Sequence, residues 1–143
     1  MAKADFTLPE EFLTKLSRFG KNTDTVAKRV LEAGGKVVLS KVKINLSSVV
    51  GVGTKHPSRS TGELEQSLGL SSVRVNKDGE YDVKIGFSEP RSNGGSNAML
   101  ANILEYGKHN QPAKPFLQPA KTASKAECIR VMEEMLTEEI DKL

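Results

Sequence analysis

Tryptophan is absent from this 143-residue chain, and cysteine occurs once, as Cys128. One cysteine excludes a disulfide within the chain, and a sequence without a disulfide framework is typical of proteins made in a reducing cytoplasm. Five phenylalanines and two tyrosines are the only aromatic residues, and the hydrophobic content is 37%. We therefore expect residues 1–143 to form one domain of ordinary size, with a modest and largely aliphatic core.

Long hydrophobic runs are also missing. No segment approaches the roughly 18–20 consecutive apolar residues that a membrane-spanning helix needs, which excludes a membrane span. The first six residues, MAKADF, lack the apolar core of a secretory signal. These absences predict synthesis in the cytoplasm and no membrane partner.

The usual signals of catalysis and metal binding are missing too. His56 and His109 lie in separate predicted loops, with no Asp or Cys at a metal-ligand spacing. The segment 51–53 (GVG) has neither the preceding strand nor the Gly-Lys-Thr ending of a phosphate-binding loop. The Glu pairs at 133–134 and 138–139 are typical of a solvated helix face. The sequence therefore predicts no catalytic residue, no metal ligand and no cofactor, and it argues against an enzyme.

Charge of one sign does not dominate the chain. The formal net charge is +3, and no aromatic residue stands inside a cluster of basic residues, as it usually does in a dedicated nucleic-acid-binding protein. Specific nucleic-acid binding is therefore not indicated, and a small basic protein that contacts phosphates without sequence preference is the alternative function. The carboxylates between 133 and 141 oppose the dipole of the helix predicted there, so that helix end either frays or meets a basic partner.

The residues that are present predict an α+β fold. The segment 76–80 (NKDGE) carries an Asp-Gly turn signal, and 81–87 (YDVKIGF) alternates apolar and polar residues. Together with the segment before the turn, this predicts an antiparallel β-hairpin over about 68–87 with one apolar face. We expect this small sheet to be packed on that face by a long helix of the N-terminal half and by a C-terminal helix.

The long helix spans 23–49 in our interpretation. Two adjacent apolar rows at helical spacing predict that it packs on more than one neighbour. Two features oppose a uniform helix. Gly34 and Gly35 each lower helix stability by about 1 kcal/mol relative to Ala, and residues 42–46 (VKINL) alternate as in a strand. We interpret the glycine pair as the place where a neighbouring backbone comes close.

Two further features concern possible partner contacts. The polar, glycine-rich connections at about 51–60 and 88–97 are expected to be mobile. Met99, Met132 and Met135 are interpreted as core-filling residues of helices, with a partner-binding groove as the alternative.

The most informative segment is 101–120 (ANILEYGKHNQPAKPFLQPA). A short apolar helix ends at Gly107, which suits a left-handed position, and a loop whose prolines fix its dihedral angles leads into a second helix. Glu105 could cap or pair locally, and Phe116 is expected to anchor the corner in the core or against a neighbour. The predicted structural corner or subunit interface comprises Glu105, Tyr106, Gly107, Pro112, Pro115, Phe116 and Pro119.

The order of four segments resembles the tail-component family of long-tailed bacteriophages and prophages. The segments are 60–68 (STGELEQSL), a hairpin ending in 83–86 (VKIG), 104–107 (LEYG) and 112–120 (PAKPFLQPA). Their order and spacing over residues 59 to about 140 carry the resemblance, since no single segment is diagnostic. One departure is Lys108, where the family pattern usually has Thr.

The resemblance implies a virion structural protein of the neck or tail terminus, synthesised in the cytoplasm of the bacterial host. Such a tail-completion or head–tail joining subunit acts by assembly and not by catalysis. The resemblance also implies a ring of identical subunits, typically hexameric, with the phage connector and tail proteins as partners. The loops 51–60 and 88–97 would then contact the connector or the tail tube.

Overall fold

The computed structural model describes residues 4–50, 63–88 and 95–143. The predicted loop 51–60, and positions 89–94 of the predicted loop 88–97, lie outside the described residues. The elements are, in chain order, β1 (Ala4–Thr7), α1 (Glu10–Leu16), a 3-10 segment (Ser17–Asn22), α2 (Thr23–Val49), α3 (Glu63–Ser67), β2 (Leu68–Leu70), β3 (Arg74–Val75), β4 (Tyr81–Phe87), α4 (Asn97–Tyr106) and α5 (Leu117–Asp141).

The sheet is antiparallel, and β4 is its central strand. β1 pairs with β4 on one side, and β2 and β3 pair with it in succession on the other. In the turn between β3 and β4, the Asn76 side chain accepts two backbone N–H groups and Gly79 has a φ of 80°. The turn therefore forms where its Asp-Gly signal predicts it. Val83 and Ile85 are fully buried, on the face of the sheet that is covered by helices.

β1 is a strand that the sequence analysis does not predict. Its four residues pair with β4 so that Phe6 lies opposite Val83, and the Leu8 N–H extends the ladder by donating to the Tyr81 carbonyl at 3.1 Å. The Phe6 side chain lies against α2 at Gly35. The strand exists because β4 offers it a backbone edge and an apolar surface, and both come from residues far away in sequence.

α2 forms the middle layer, between the sheet and α5. A Cβ on Gly34 would lie 2.6 Å from the Met132 sulfur of α5, and one on Gly35 would lie 2.9 Å from the Leu70 side chain of β2. The glycine pair thus lets the two outer layers approach opposite sides of one helix. The expectation of a close neighbouring backbone is wrong, because the groups in contact are side chains.

α2 and α5 run antiparallel. At one end Arg29 pairs with Glu139 at 3.3 Å, and at the other the Asn45 side chain donates to the Phe116 carbonyl, also at 3.3 Å. α5 remains helical through Asp141, so the helix includes its acidic end.

The predicted α+β class is confirmed: a small antiparallel sheet is packed by a long helix and by a C-terminal helix. α2 also continues through 42–46, because Val42 and Leu46 are both buried one turn apart on the same side of the helix. Within the described ranges, no helix combines the length and the hydrophobicity needed to cross a bilayer.

Candidate functional site

The corner between α4 and α5 requires glycine at position 107 for two reasons. Gly107 has a φ of 78°, in the region that side chains with a Cβ rarely adopt. A Cβ there would also lie 2.8 Å from the Ala113 nitrogen and 2.9 Å from the Gln111 carbonyl oxygen. The chain therefore reverses direction against its own returning loop at this residue.

The returning loop is held by backbone hydrogen bonds. Lys108 and Gln111 exchange two bonds of 2.9 Å, and Asn110 between them adopts a φ of 69°, which Asn tolerates better than most residues. The Lys114 N–H then donates to the Leu104 carbonyl at 2.7 Å. The loop is thus closed on itself after Gly107 and is tied to the last turn of α4 through Leu104.

Glu105 connects α4 to the first turn of α5. Its side chain is buried, with the residue 4% exposed, and its carboxylate accepts backbone N–H groups from Phe116 at 2.9 Å, Leu117 at 2.8 Å and Gln118 at 3.1 Å. The first N–H groups of a helix have no partner within the helix, and the helix dipole favours a negative charge there. The N-cap residue of α5, Phe116, makes no side-chain capping hydrogen bond, so Glu105 caps the helix from another element.

Phe116 lies at the centre of the corner. It is fully buried, and its ring meets the Phe87 ring of β4 edge-on, with 6.2 Å between centroids and 75° between planes. Such a geometry is favourable for aromatic pairs. The Phe116 carbonyl accepts the side-chain N–H of Asn45. The corner therefore joins α4, α5, the sheet and α2 through one residue and its immediate neighbours.

The other predicted residues of the corner lie on the surface. Tyr106 is 64% exposed. Pro112 and Pro115 of the loop and Pro119 of the first turn of α5 are exposed too. Tyr106, Pro115 and Pro119 line a shallow depression between α4 and the start of α5. Met99, in the first turn of α4, is 65% exposed, so the interpretation of Met99 as a core-filling residue is wrong. A rigid support thus presents several apolar side chains to solvent.

Met132 is buried and Met135 is half-buried, as core-filling residues are. Two residues of the corner were missed by the sequence analysis, Asn45 and Phe87. The available signal for Asn45 was its position beside the apolar rows of α2. For Phe87, it was membership of the inward-facing row of β4.

Two titratable groups of the described residues have a raised pKa, Tyr81 and Cys128. The Tyr81 hydroxyl donates to the Asp24 carboxylate, and this bond, together with burial and the negative charge, raises the pKa of Tyr81 above its ordinary value. Burial raises the pKa of the Cys128 thiol, which disfavours the reactive thiolate. His109 is exposed in the loop, and the described residues contain no group of three or more His, Cys, Asp or Glu side chains placed to hold a metal ion. His56 lies outside the described residues.

The ends of the predicted loop 88–97 are fixed to each other. Asn97 is buried, and its side-chain N–H donates to the Ser88 carbonyl at 2.8 Å. Ser96 accepts the Met99 N–H and so caps α4.

One family of known proteins matches most of the chain. A family model described as "Bacteriophage HK97-gp10, putative tail-component" matches residues 10–107, which is more than half of the chain. The matched range runs from the start of α1 to Gly107, so it contains Glu105 and Tyr106 and ends before Phe116. No curated protein and no solved structure matches the chain.

Proposed function

Because the chain belongs to the HK97-gp10-like family of bacteriophage tail components, we propose that it is the subunit that completes the tail or joins the tail to the head. Family membership gives the coarser role, a structural part of the phage tail. The finer role proposed here is assembly into a closed ring, hexameric by resemblance, that contacts the connector and the tail proteins. In this role the protein performs no catalysis.

The observation that supports this proposal is the division of the corner into a buried and an exposed half. Glu105 and Phe116 fix the angle between α4 and α5 from inside, while Met99 and Tyr106 stand about two-thirds exposed on the outside. Exposed aromatic and Met side chains on a rigid support are typical of protein–protein interfaces. A catalytic function would not need such a surface, whereas a subunit that must dock in one orientation does.

The proposal is tested by deleting the gene in a phage or prophage that carries it and complementing with variants. Deletion should leave separate heads and tails, or tails of abnormal length, in electron micrographs, and should abolish infectious particles. Wild-type protein supplied from a plasmid should restore the titre, and Tyr106→Glu should not. A deletion phage that forms complete, infectious particles would overturn the proposed function.

A matched control separates loss of docking from a general effect of surface charge. Val75→Glu introduces the same charge at an apolar side chain of β3 that is 60% exposed, outside the corner. Val75→Glu should restore the titre as wild type does, and both variants should melt at the wild-type temperature. If Val75→Glu fails as Tyr106→Glu does, the corner is not the docking surface.

A further inference from the structure

Charge is separated along the C-terminal part of the chain. Residues 108–125 contain four lysines and no carboxylate, whereas residues 127–141 contain six carboxylates and one arginine. Most of this range is α5, whose 25 residues place its two ends about 37 Å apart. The protein therefore carries a basic surface and an acidic surface at opposite ends of one helix.

This order of charges does not stabilise the helix that carries it. A helix dipole favours carboxylates near the N-terminus and basic groups near the C-terminus, and α5 has the reverse. Contacts within the described residues neutralise only part of it. Arg29 pairs with Glu139, and Arg130 pairs with Glu127 and Glu134, but Glu133, Glu138 and Asp141 have no ion pair with any residue that the structure describes. The acidic end thus has carboxylates available to a partner.

The basic end borders a groove of about 390 Å³ between β1 and α5. Apolar side chains from three layers line it, among them Phe6 of β1, Val38 of α2 and Ile129 of α5. Lys121 and Lys125 stand along its α5 wall. The Lys121 ammonium donates to the Asp5 carbonyl at 2.8 Å, and Lys125 is exposed and has no ion pair within the described ranges.

The β1 wall adds further donors to this groove. Leu8 and Phe6 use their backbone groups to pair with β4, so the N–H groups of Asp5 and Thr7 point to the opposite, unpaired edge. An exposed strand edge is a surface on which another chain can bind. With the two lysines, these donors make the groove suited to a segment that carries both carboxylates and apolar side chains.

We propose that this groove receives the acidic end of α5 from a second copy of the chain. That end presents Glu138 and Asp141 together with half-buried Ile140 and Leu143, which is 67% exposed. The chemistry of the groove and the chemistry of this segment are complementary in both charge and apolar character. The contact deepens the proposed ring, on which it rests, by naming the two surfaces that meet.

The two surfaces lie at different places on the molecule, so the contact is head-to-tail. Head-to-tail contacts close into a ring when the rotation between copies permits it. The groove and the acidic end of each subunit would both be occupied in a closed ring, and no copy would carry an unmatched surface.

A charge exchange tests the contact. Lys125→Glu alone, and Glu138→Lys with Asp141→Lys, should each weaken self-association on the order of tenfold or more at low ionic strength, as measured by sedimentation over a concentration series. The variant that combines all three substitutions should recover it, because the charges are exchanged and again opposite. Lys77→Glu, in the exposed β3–β4 turn outside the groove, makes the same change of charge and should have no effect.

The same variants are then supplied to the deletion phage, which keeps this proposal separate from the proposed function. If deletion abolishes infectious particles but every charge variant restores the wild-type titre, the function holds and the contact is wrong. The contact is also overturned if the combined variant folds with the wild-type melting temperature and yet fails as the partial variants do. Recovery of both self-association and titre in the combined variant supports it.

Discussion

Replacing Glu105 by Gln should destabilise the protein by about 3–5 kcal/mol. The Glu105 carboxylate accepts three backbone N–H groups while buried, and hydrogen bonds to a charged group contribute about 1.5–3 kcal/mol against about 0.5–1.5 for neutral ones. The Gln carbonyl oxygen can retain the two bonds from Phe116 and Leu117, each weaker by about 1 kcal/mol. Its amide group then faces the Gln118 N–H with another donor, so the third bond is lost.

The destabilisation is measured by urea unfolding, followed by the helical circular dichroism signal. For a chain of this size, the loss corresponds to a decrease of roughly 9–15 °C in melting temperature. Amide hydrogen exchange gives a local measurement: the N–H groups of Phe116, Leu117 and Gln118 should exchange faster, while those in the middle of α5 keep their protection relative to global unfolding.

Glu133→Gln is the matched control, because Glu133 is exposed on α5, the helix that Glu105 caps from α4, and has no ion pair with a described residue. Its effect should stay within about 0.5 kcal/mol. If Glu105→Gln unfolds at the same urea concentration as this control, with unchanged exchange at the start of α5, Glu105 does not hold the corner.

Three further predictions concern the core and the sheet. Gly34→Val should cost at least about 2 kcal/mol in urea unfolding, because a Cβ there would lie 2.6 Å from a side-chain sulfur of α5; wild-type stability would show that the layers can separate. Phe116→Ala should cost about 3–5 kcal/mol, since the ring is fully buried; an unchanged melting temperature would place it outside the core. With Tyr106→Phe leaving one tyrosine, the absorbance of ionised Tyr81 should appear at a midpoint above its ordinary value of 10.0, and Asp24→Asn should lower that midpoint. Because the folded pKa is the higher one, the stabilisation by this bond is complete below about pH 10 and is lost as pH rises through the folded pKa; a midpoint unaffected by Asp24→Asn would contradict this assignment.

The parts of the fold that the sequence predicts are those in which local signals and tertiary packing agree. The Asp-Gly turn and the alternation of 81–87 both favour a hairpin, and β3 and β4 form one. The sequence predicts a helix over 23–49 despite two opposing signals, the glycine pair and the alternation of 42–46. Burial explains why the segment is helical. Val42 and Leu46 share the buried side of a helix, and each of the two glycines is required by a different neighbouring layer.

The parts that could not be predicted depend on partners far away in the sequence. β1 has four residues, and its pairing with β4 leaves no trace in those residues themselves. The candidate corner is predicted from Gly107 and the prolines, because each restricts the backbone locally. Which side chains face inward is decided by other elements: Phe116 is buried because Phe87 and Asn45 meet it, whereas Tyr106, equally aromatic, remains at the surface.

The central position of β4 has a consequence for synthesis of the chain. β1 and α2 leave the ribosome first, but the strand that pairs with β1 follows about 80 residues later, which at roughly 5–20 residues per second is a delay of about 4–16 seconds. α5, which covers the other side of α2, is made later still. Until these later elements are made, the apolar sides of α2 have neither the sheet nor α5 to cover them, although α2 is already long enough to form a helix.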